Sequence, residues 1–204
     1  MKQCAGHAGA TAVRSLGRVR RPLAGIAVLL LTVEVLLAAP AVTPPAQAQP
    51  APAFTSTAAS QWINTSPLSW SDLRGEVVLV EFWTFSCHNC YRSIPWLKST
   101  ERRFAGQRYR IIGVHTPEFD AERPRAAVEA KVREHGIRFP VMLDNDSRYW
   151  KAMNNRYWPA FYLVDRQGRL RAQFIGETHA GDRNAMAMEA AIAALLAEPG
   201  AAPP

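Results

Sequence analysis

Two cysteines three residues apart, in Cys87-His88-Asn89-Cys90, are the side chains of this chain best suited to chemistry. A thiolate is the attacking species in disulfide exchange, and two thiols one helical turn apart lie on one face and can close into a disulfide. The run before them, Val77-Val78-Leu79-Val80-Glu81-Phe82-Trp83, is apolar and rich in β-branched residues, the pattern of a buried strand. The residues after them, from Asn89 to Phe104, place Ile94, Leu97 and Phe104 at helical spacing, with Pro95 as an expected kink. The pair therefore stands between a strand and a helix start. There, unpaired backbone N–H groups and the helix dipole favour negative charge on the first sulfur. Cys87 is expected to attack a substrate disulfide. Cys90, one turn deeper and less exposed, is expected to resolve the mixed disulfide. A static disulfide and half of a zinc site are the competing readings. Zinc wants four ligands, and the chain has no second C-x-x-C and no paired-histidine motif.

The rest of the composition narrows the function. The chain has 204 residues, 48% of them hydrophobic and 20% charged, enough for one domain with a proper core. Its net charge of +7 is weighted toward the N-terminus, where Lys2, Arg14, Arg18, Arg20 and Arg21 face only Glu34. The modest remainder shows no basic stripe interleaved with aromatics, so nucleic acid is not an expected partner. Arg102, Arg103, Arg108 and Arg110 read as a solvated helix end and strand start. With only 3 cysteines, one of them Cys4, the chain is not a disulfide-stapled scaffold. The pattern calls for no cofactor and no metal.

Residues 1–48 have the order of a secretory signal: a basic region, the apolar run 26–39, then small residues ending in Ala46-Gln47-Ala48. Arg20-Arg21 hints at a twin-arginine route, though Pro22 and the lack of a fuller motif speak against it. Residues 23–42 are alternatively long enough for an uncleaved membrane anchor, at a cost from Glu34. Either way the domain is expected outside the cytoplasm, periplasmic or anchored to the inner membrane. Residues 49–60 read as a Pro/Ala-rich linker, 61–197 as the folded domain, and 198–204 as a disordered tail. Within the domain, Arg110–His115 reads as a strand and Ala121–His135 as a helix closed by Gly136. Phe139–Leu143 reads as extended and Ser147–Met153 as a helical turn. Phe161–Val164 and Leu170–Ile175 form a hairpin across Asp165-Arg166-Gln167-Gly168, and Asn184–Leu196 is a last helix. The order implies an α/β fold, a mixed sheet with helices on both faces.

The segment Val78-Leu79-Val80-Glu81-Phe82-Trp83-Thr84-Phe85-Ser86-Cys87-His88-Asn89-Cys90 resembles the active-site segment of thioredoxins. Three later motifs extend the likeness in order and spacing. They are Gly113-Val114-His115-Thr116-Pro117-Glu118-Phe119, Leu143-Asp144-Asn145-Asp146 and Asn155-Arg156-Tyr157-Trp158-Pro159-Ala160. Together, over about residues 61–197, they are similar to the exported TlpA/ResA-like proteins and to the thioredoxin-like domain of DipZ proteins. The resemblance implies a thioredoxin-like fold. It implies that Pro159 is the cis-proline facing the cysteines and that the backbone of Trp158 pairs with an extended substrate segment; an ordinary trans-proline opening a strand is the alternative. It places Glu81 where thioredoxins keep a buried acid, usually Asp, that takes the proton of the resolving cysteine. A carboxylate at a sheet edge, paired to an arginine, is the other reading of Glu81. His88-Asn89 replaces the Gly-Pro of thioredoxin, and Asn89 fits the C-x-N-C pattern of the DipZ type. A protonated His88 would favour the thiolate and a more oxidising pair, while Glu81 favours reduction. His115 and Glu118 end a strand on the side of the sheet where sites lie, though a solvent-facing or satisfied histidine is as ordinary a reading. Trp83, Trp96, Trp150 and Tyr157 suit a substrate groove or a core.

The expected function is an extracytoplasmic thiol–disulfide oxidoreductase, acting as a monomer on protein dithiols and disulfides. The likeness suggests a reducing role in cytochrome c maturation or thiol maintenance. Electrons would come from a membrane donor of the DsbD/CcdA type in trans. A peroxide-reducing redoxin is an alternative, without a Pro-x-x-x-Thr-x-x-Cys motif to support it. A copper-binding chaperone using His115 is another, with the cysteine spacing wrong by one.

Overall fold

The computed structural model describes residues 48–199. The expected leader, its alternative membrane span 23–42 and Cys4 lie outside the described residues, as do residues 200–204. Among the described residues no helix is long and apolar enough to cross a membrane.

The order is β1 (Trp62–Ile63), β2 (Val77–Trp83), α1 (His88–Arg103), β3 (Tyr109–His115), α2 (Arg125–Glu134), β4 (Val141–Leu143), α3 (Arg148–Ala152), β5 (Ala160–Val164), β6 (Leu170–Ile175) and α4 (Arg183–Ala197). The strands form one mixed sheet in the order β1-β4-β3-β2-β5-β6. The apolar run 77–83 becomes β2, every residue of it buried. It is interior because it pairs in parallel with β3 and antiparallel with β5. A strand covered on both faces reads as a continuous apolar run, which is why its sequence does not alternate.

Strand alternation divides the core into two clusters. Val77, Leu79 and Trp83 point to one face, with Ile94, Trp96 and Leu97 of α1 and Ala185, Met188 and Ile192 of α4. Val78, Val80 and Phe82 point to the other, with Tyr149 of α3 and an N-terminal segment carrying Phe54, Trp62 of β1 and Leu73. Helices cover both faces, as expected, but the second face depends heavily on that segment.

Three boundaries differ from expectation. Residues 49–60 are not a linker. Ala51 and Phe54 are buried, the Ser56 hydroxyl donates to Leu143 O, and the Trp70 indole N–H donates to Pro52 O. Pro50 bridges Arg169, beside a bond from Ala51 N–H to Gly168 O. Burying one phenylalanine contributes about 1.5–3 kcal/mol, which holds a segment hydrogen-bonded on either side of it. α2 begins at Arg125 and not near Ala121, because Pro124 occupies the N-cap and a 3-10 turn, Asp120–Glu122, precedes it. Glu198 does not begin a loose tail: its carboxylate takes two bonds from Arg171 and its carbonyl one from Arg166.

Candidate active site

β2 ends at the level of the reacting pair. The chain leaves it through Thr84, Phe85 and Ser86, and the Cys87 N–H closes that turn on Thr84 O at 3.2 Å. Cys87 is the N-cap of α1, with extended backbone (φ −78°, ψ 108°). Serine or aspartate usually fills that position, accepting an N–H from the first turn. Here the sulfur does so: Cys87 Sγ accepts from Cys90 N–H at 3.3 Å. Cys87 and Cys90 are joined as a disulfide across a Cα–Cα distance of 5.3 Å. Cys87 is half-buried and Cys90 fully buried. One cysteine is thus partly open to solvent on a helix N-terminus while the other is shielded, the asymmetry that attack and resolution require.

His88 and Asn89 occupy the first turn of α1 and are exposed. Asn89 O accepts the Ser93 hydroxyl at 2.9 Å, and Ser93 Oγ in turn accepts Thr178 N–H at 3.0 Å. That relay fastens the start of α1 to the connection between β6 and α4.

Glu81 lies in the middle of β2, between Gly113 of β3 and Phe161 of β5. Its alternation with Leu79 and Trp83 turns it to the face that packs Cys90. It is 1% exposed, and its Oε1 has no hydrogen-bond partner. The edge-strand reading of Glu81 fails, since β2 is interior and no arginine is paired with Glu81 among the described residues. Burial without a donor pushes its pKa well above the usual carboxylate range.

Trp83 and His115 stand opposite each other in the β2–β3 register, their rings edge to face at 5.0 Å. Gly113 makes room for Trp83 and Phe139: a Cβ there would lie 3.2 Å from Trp83 Nε1 and 3.1 Å from the Phe139 ring. His115 is wholly buried and also stacks on Phe85 at 5.7 Å. Its Nε2 lies 3.4 Å from Thr84 Oγ1, while Nδ1 has no partner. Burial lowers its pKa to about 4, so the imidazole is neutral near pH 7. Trp83 and Trp96 belong to the core and line no groove; Trp150 is half-buried against Phe82, and Tyr157 is exposed. No three His, Cys, Asp or Glu side chains are grouped to hold a metal ion among the described residues.

The Trp158–Pro159 peptide bond is cis. Ala160 pairs with Phe82, so the same register sets Pro159 beside Trp83, at the end of the sheet from which Cys87 follows. Trp158 lies tilted against Trp150 at 4.2 Å and, like Cys87, packs against the core cluster that includes Cys90.

Glu118 is exposed, and only its backbone takes part: its N–H donates to the carboxylate of Glu122. Sequence reasoning passed over Glu122. It is fully buried, accepting Ser86 N–H at 3.0 Å through Oε1, and Glu118 N–H at 2.5 Å and Phe119 N–H at 2.9 Å through Oε2. Burial pushes its pKa up, but bonds from Ser86, Phe119, Thr84 and Glu118 more than reverse this, to about 2. Its bond to Phe119 is half of a capping box. A serine or threonine at position 119 would have made it legible.

Residues 48–173 match the AhpC/TSA family. DipZ of Mycobacterium bovis is 40% identical over 126 residues, 60% of this chain and 18% of that protein. The chain therefore spans about a fifth of DipZ. The thiol-disulfide oxidoreductase YkuV of Bacillus subtilis is 31% identical over 124 residues, 60% of this chain and 81% of YkuV. The crystal structure of the thioredoxin-like superfamily protein SPOA0173 superposes with a TM-score of 0.66 at 29% identity, covering 76% of this chain and all of that one. With the mixed sheet and a C-x-x-C pair at the start of α1, these matches show that the chain belongs to the AhpC/TSA family and has a thioredoxin-like fold.

Proposed function

We propose that the chain works outside the cytoplasm and reduces disulfides of protein substrates through Cys87 and Cys90. The observation that carries the reading is the asymmetry of the pair. Cys87 is half-buried and its Sγ accepts an N–H at the start of α1, while Cys90 is fully buried on the face of the sheet that Glu81 shares. The Cys87 thiolate attacks one sulfur of the substrate, forming a mixed disulfide and expelling the other sulfur as thiolate. Glu81, once ionised, takes the Cys90 proton, and the Cys90 thiolate displaces the substrate from Cys87 Sγ. Two electrons pass to the substrate and the Cys87–Cys90 disulfide reforms. An acid with a raised pKa suits this work, because its conjugate base is strong enough to take a thiol proton. Trp158 and Pro159 present backbone to an extended substrate segment beside the pair, and His88 and Asn89 tune the potential. The leader pattern supports the location, and a membrane electron donor of the DsbD/CcdA type would re-reduce the pair.

The reduction potential of the pair tests the direction. A value near thioredoxin's, roughly −270 mV, is expected; one near roughly −120 mV would mark an oxidant. The family match gives one specific reason for a second reading, peroxide reduction. Against it, residue 80, where a Pro-x-x-x-Thr-x-x-Cys motif would carry proline, is Val80 inside β2. Consumption of hydrogen peroxide by the reduced protein, abolished in Cys87→Ser, would favour that reading.

A further inference from the structure

The segment that presents Cys87 is held from outside its own element. Ser86, immediately before Cys87, gives its N–H to Glu122, which lies 36 residues away in sequence. The same carboxylate gathers the N–H groups of Glu118 and Phe119. Three backbone donors from two separate segments thus converge on one side chain that is wholly removed from solvent. A buried carboxylate is tolerable only when its lone pairs are satisfied, and three N–H groups do this without removing its charge. No lysine or arginine pairs with Glu122 among the described residues; the nearby Arg123 pairs with Asp120.

Two consequences reach the redox pair. Reducing the disulfide creates negative charge on Cys87 Sγ, and a fixed negative charge held on the neighbouring residue's N–H opposes that change. The Ser86 N–H, which would otherwise be free to turn toward the sulfur, is already committed to the carboxylate. Both effects favour the disulfide over the thiolate. They act against the N-terminus of α1 and its Cys90 N–H, which favour the thiolate.

We propose that Glu122 is a positioning residue. It locks the turn before Cys87 and, by its charge, biases the pair toward the disulfide, making the dithiol a stronger reductant. The proposal deepens the reducing role above and rests on Cys87 and Cys90 being a redox couple.

The test is the equilibrium of the full-length protein with reduced and oxidised dithiothreitol. In that exchange the reagent's dithiol gives two electrons and two protons and closes its own disulfide, while the Cys87–Cys90 bond opens. E122Q removes the charge and is expected to move the constant toward the protein dithiol by about tenfold. E122D keeps the charge and is expected to stay within about threefold of the wild type. Thermal unfolding of both redox forms separates this from a structural role. A purely structural residue lowers the oxidised and reduced midpoints of E122Q alike and leaves the constant unchanged, which would overturn the proposal. If the wild type itself does not exchange with dithiothreitol, the redox reading fails first, and that outcome is distinct.

Should E122Q not fold, the wild type supplies a second readout, the apparent pKa of the Cys87 thiol from the pH profile of its alkylation by iodoacetamide. Cys90 and His88 of α1, Glu81 of β2, His115 of β3, and Glu118 and Glu122 of the β3–α2 connection are titratable groups on the elements that meet it, and Cys90 titrates with it as a pair. A value at or above roughly 7, that of thioredoxin, is expected, and a lower one overturns the proposal.

Discussion

Glu81 and Glu122 are both buried glutamates near one disulfide, but they sit in different kinds of structure. Glu81 is in the middle of a strand, where the backbone N–H groups of β2, β3 and β5 are already spent on the sheet. Its side chain meets apolar neighbours, finds no donor, and is driven toward the neutral form. Glu122 is in a 3-10 turn beside a loop, where N–H groups are left over, and it collects three of them. It stays charged far below neutral pH. Neither residue exposes appreciable surface; they differ in how deeply they are enclosed and in the donors they meet, and the donors keep Glu122 charged. The contrast divides the labour as well, giving one acid that can exchange a proton and one that cannot. Groups whose surroundings push their pKa values apart are a recurring mark of acid–base sites.

The comparison can be broken by stability measurements, beginning with Glu122. Its folded pKa is depressed from 4.5 to about 2. The stability this supplies is fully present above the unfolded value and is lost as pH falls toward 2. By linkage it amounts to about 3 kcal/mol. Urea unfolding of Glu122→Ala at pH 7 should show a loss of about that size, narrowing near pH 2.5; an unchanged midpoint at pH 7 would mean that the clamp holds nothing.

His115 should give the next largest effect. Its folded pKa is lowered from 6.5 to about 4 by burial. The unfolded chain therefore binds the extra proton first, and stability falls as the solution is acidified through this window. Between pH 6.5 and 5 the loss is about 2 kcal/mol. Replacing His115 with phenylalanine should flatten that slope, whereas an equal slope in the variant would place the titrating group elsewhere.

The smallest effect in stability, and the opposite sign, belongs to Glu81. Its raised pKa means that the folded state holds a proton which the unfolded state releases, so it weakens the fold as pH rises above 4.5. Glu81→Gln should therefore be more stable than the wild type at pH 8. It should also release substrate from the mixed disulfide at least about tenfold more slowly. Normal release kinetics would remove Glu81 from the proton transfer.

Much of this was legible before the structure. The strand 77–83 showed itself because a doubly covered strand must be a continuous apolar run. Cys87 showed itself because a thiol at a strand-to-helix junction has few other uses. Asp165–Gly168 announced a hairpin because Gly168 supplies the positive φ, 74°, that the turn needs. The N-terminal segment was misread because composition averages over it. Six alanines and prolines hide the one ring, Phe54, that stacks on Trp70 at 4.8 Å and meets Trp62 edge to face at 5.4 Å. Glu122 was invisible for a different reason. Three of its partners are backbone N–H groups, which leave no mark on residue type, and one of them is 36 positions away.

The redox role of the pair is tested most directly by trapping. Full-length protein should reduce the disulfides of insulin with a dithiol reductant present. Cys90→Ser, which cannot resolve, should accumulate a mixed disulfide through Cys87 that reductant releases, and Cys87→Ser should neither turn over nor form the adduct. Insulin reduction that survives in Cys87→Ser, or a wild type that forms no adduct and reduces nothing, would contradict it.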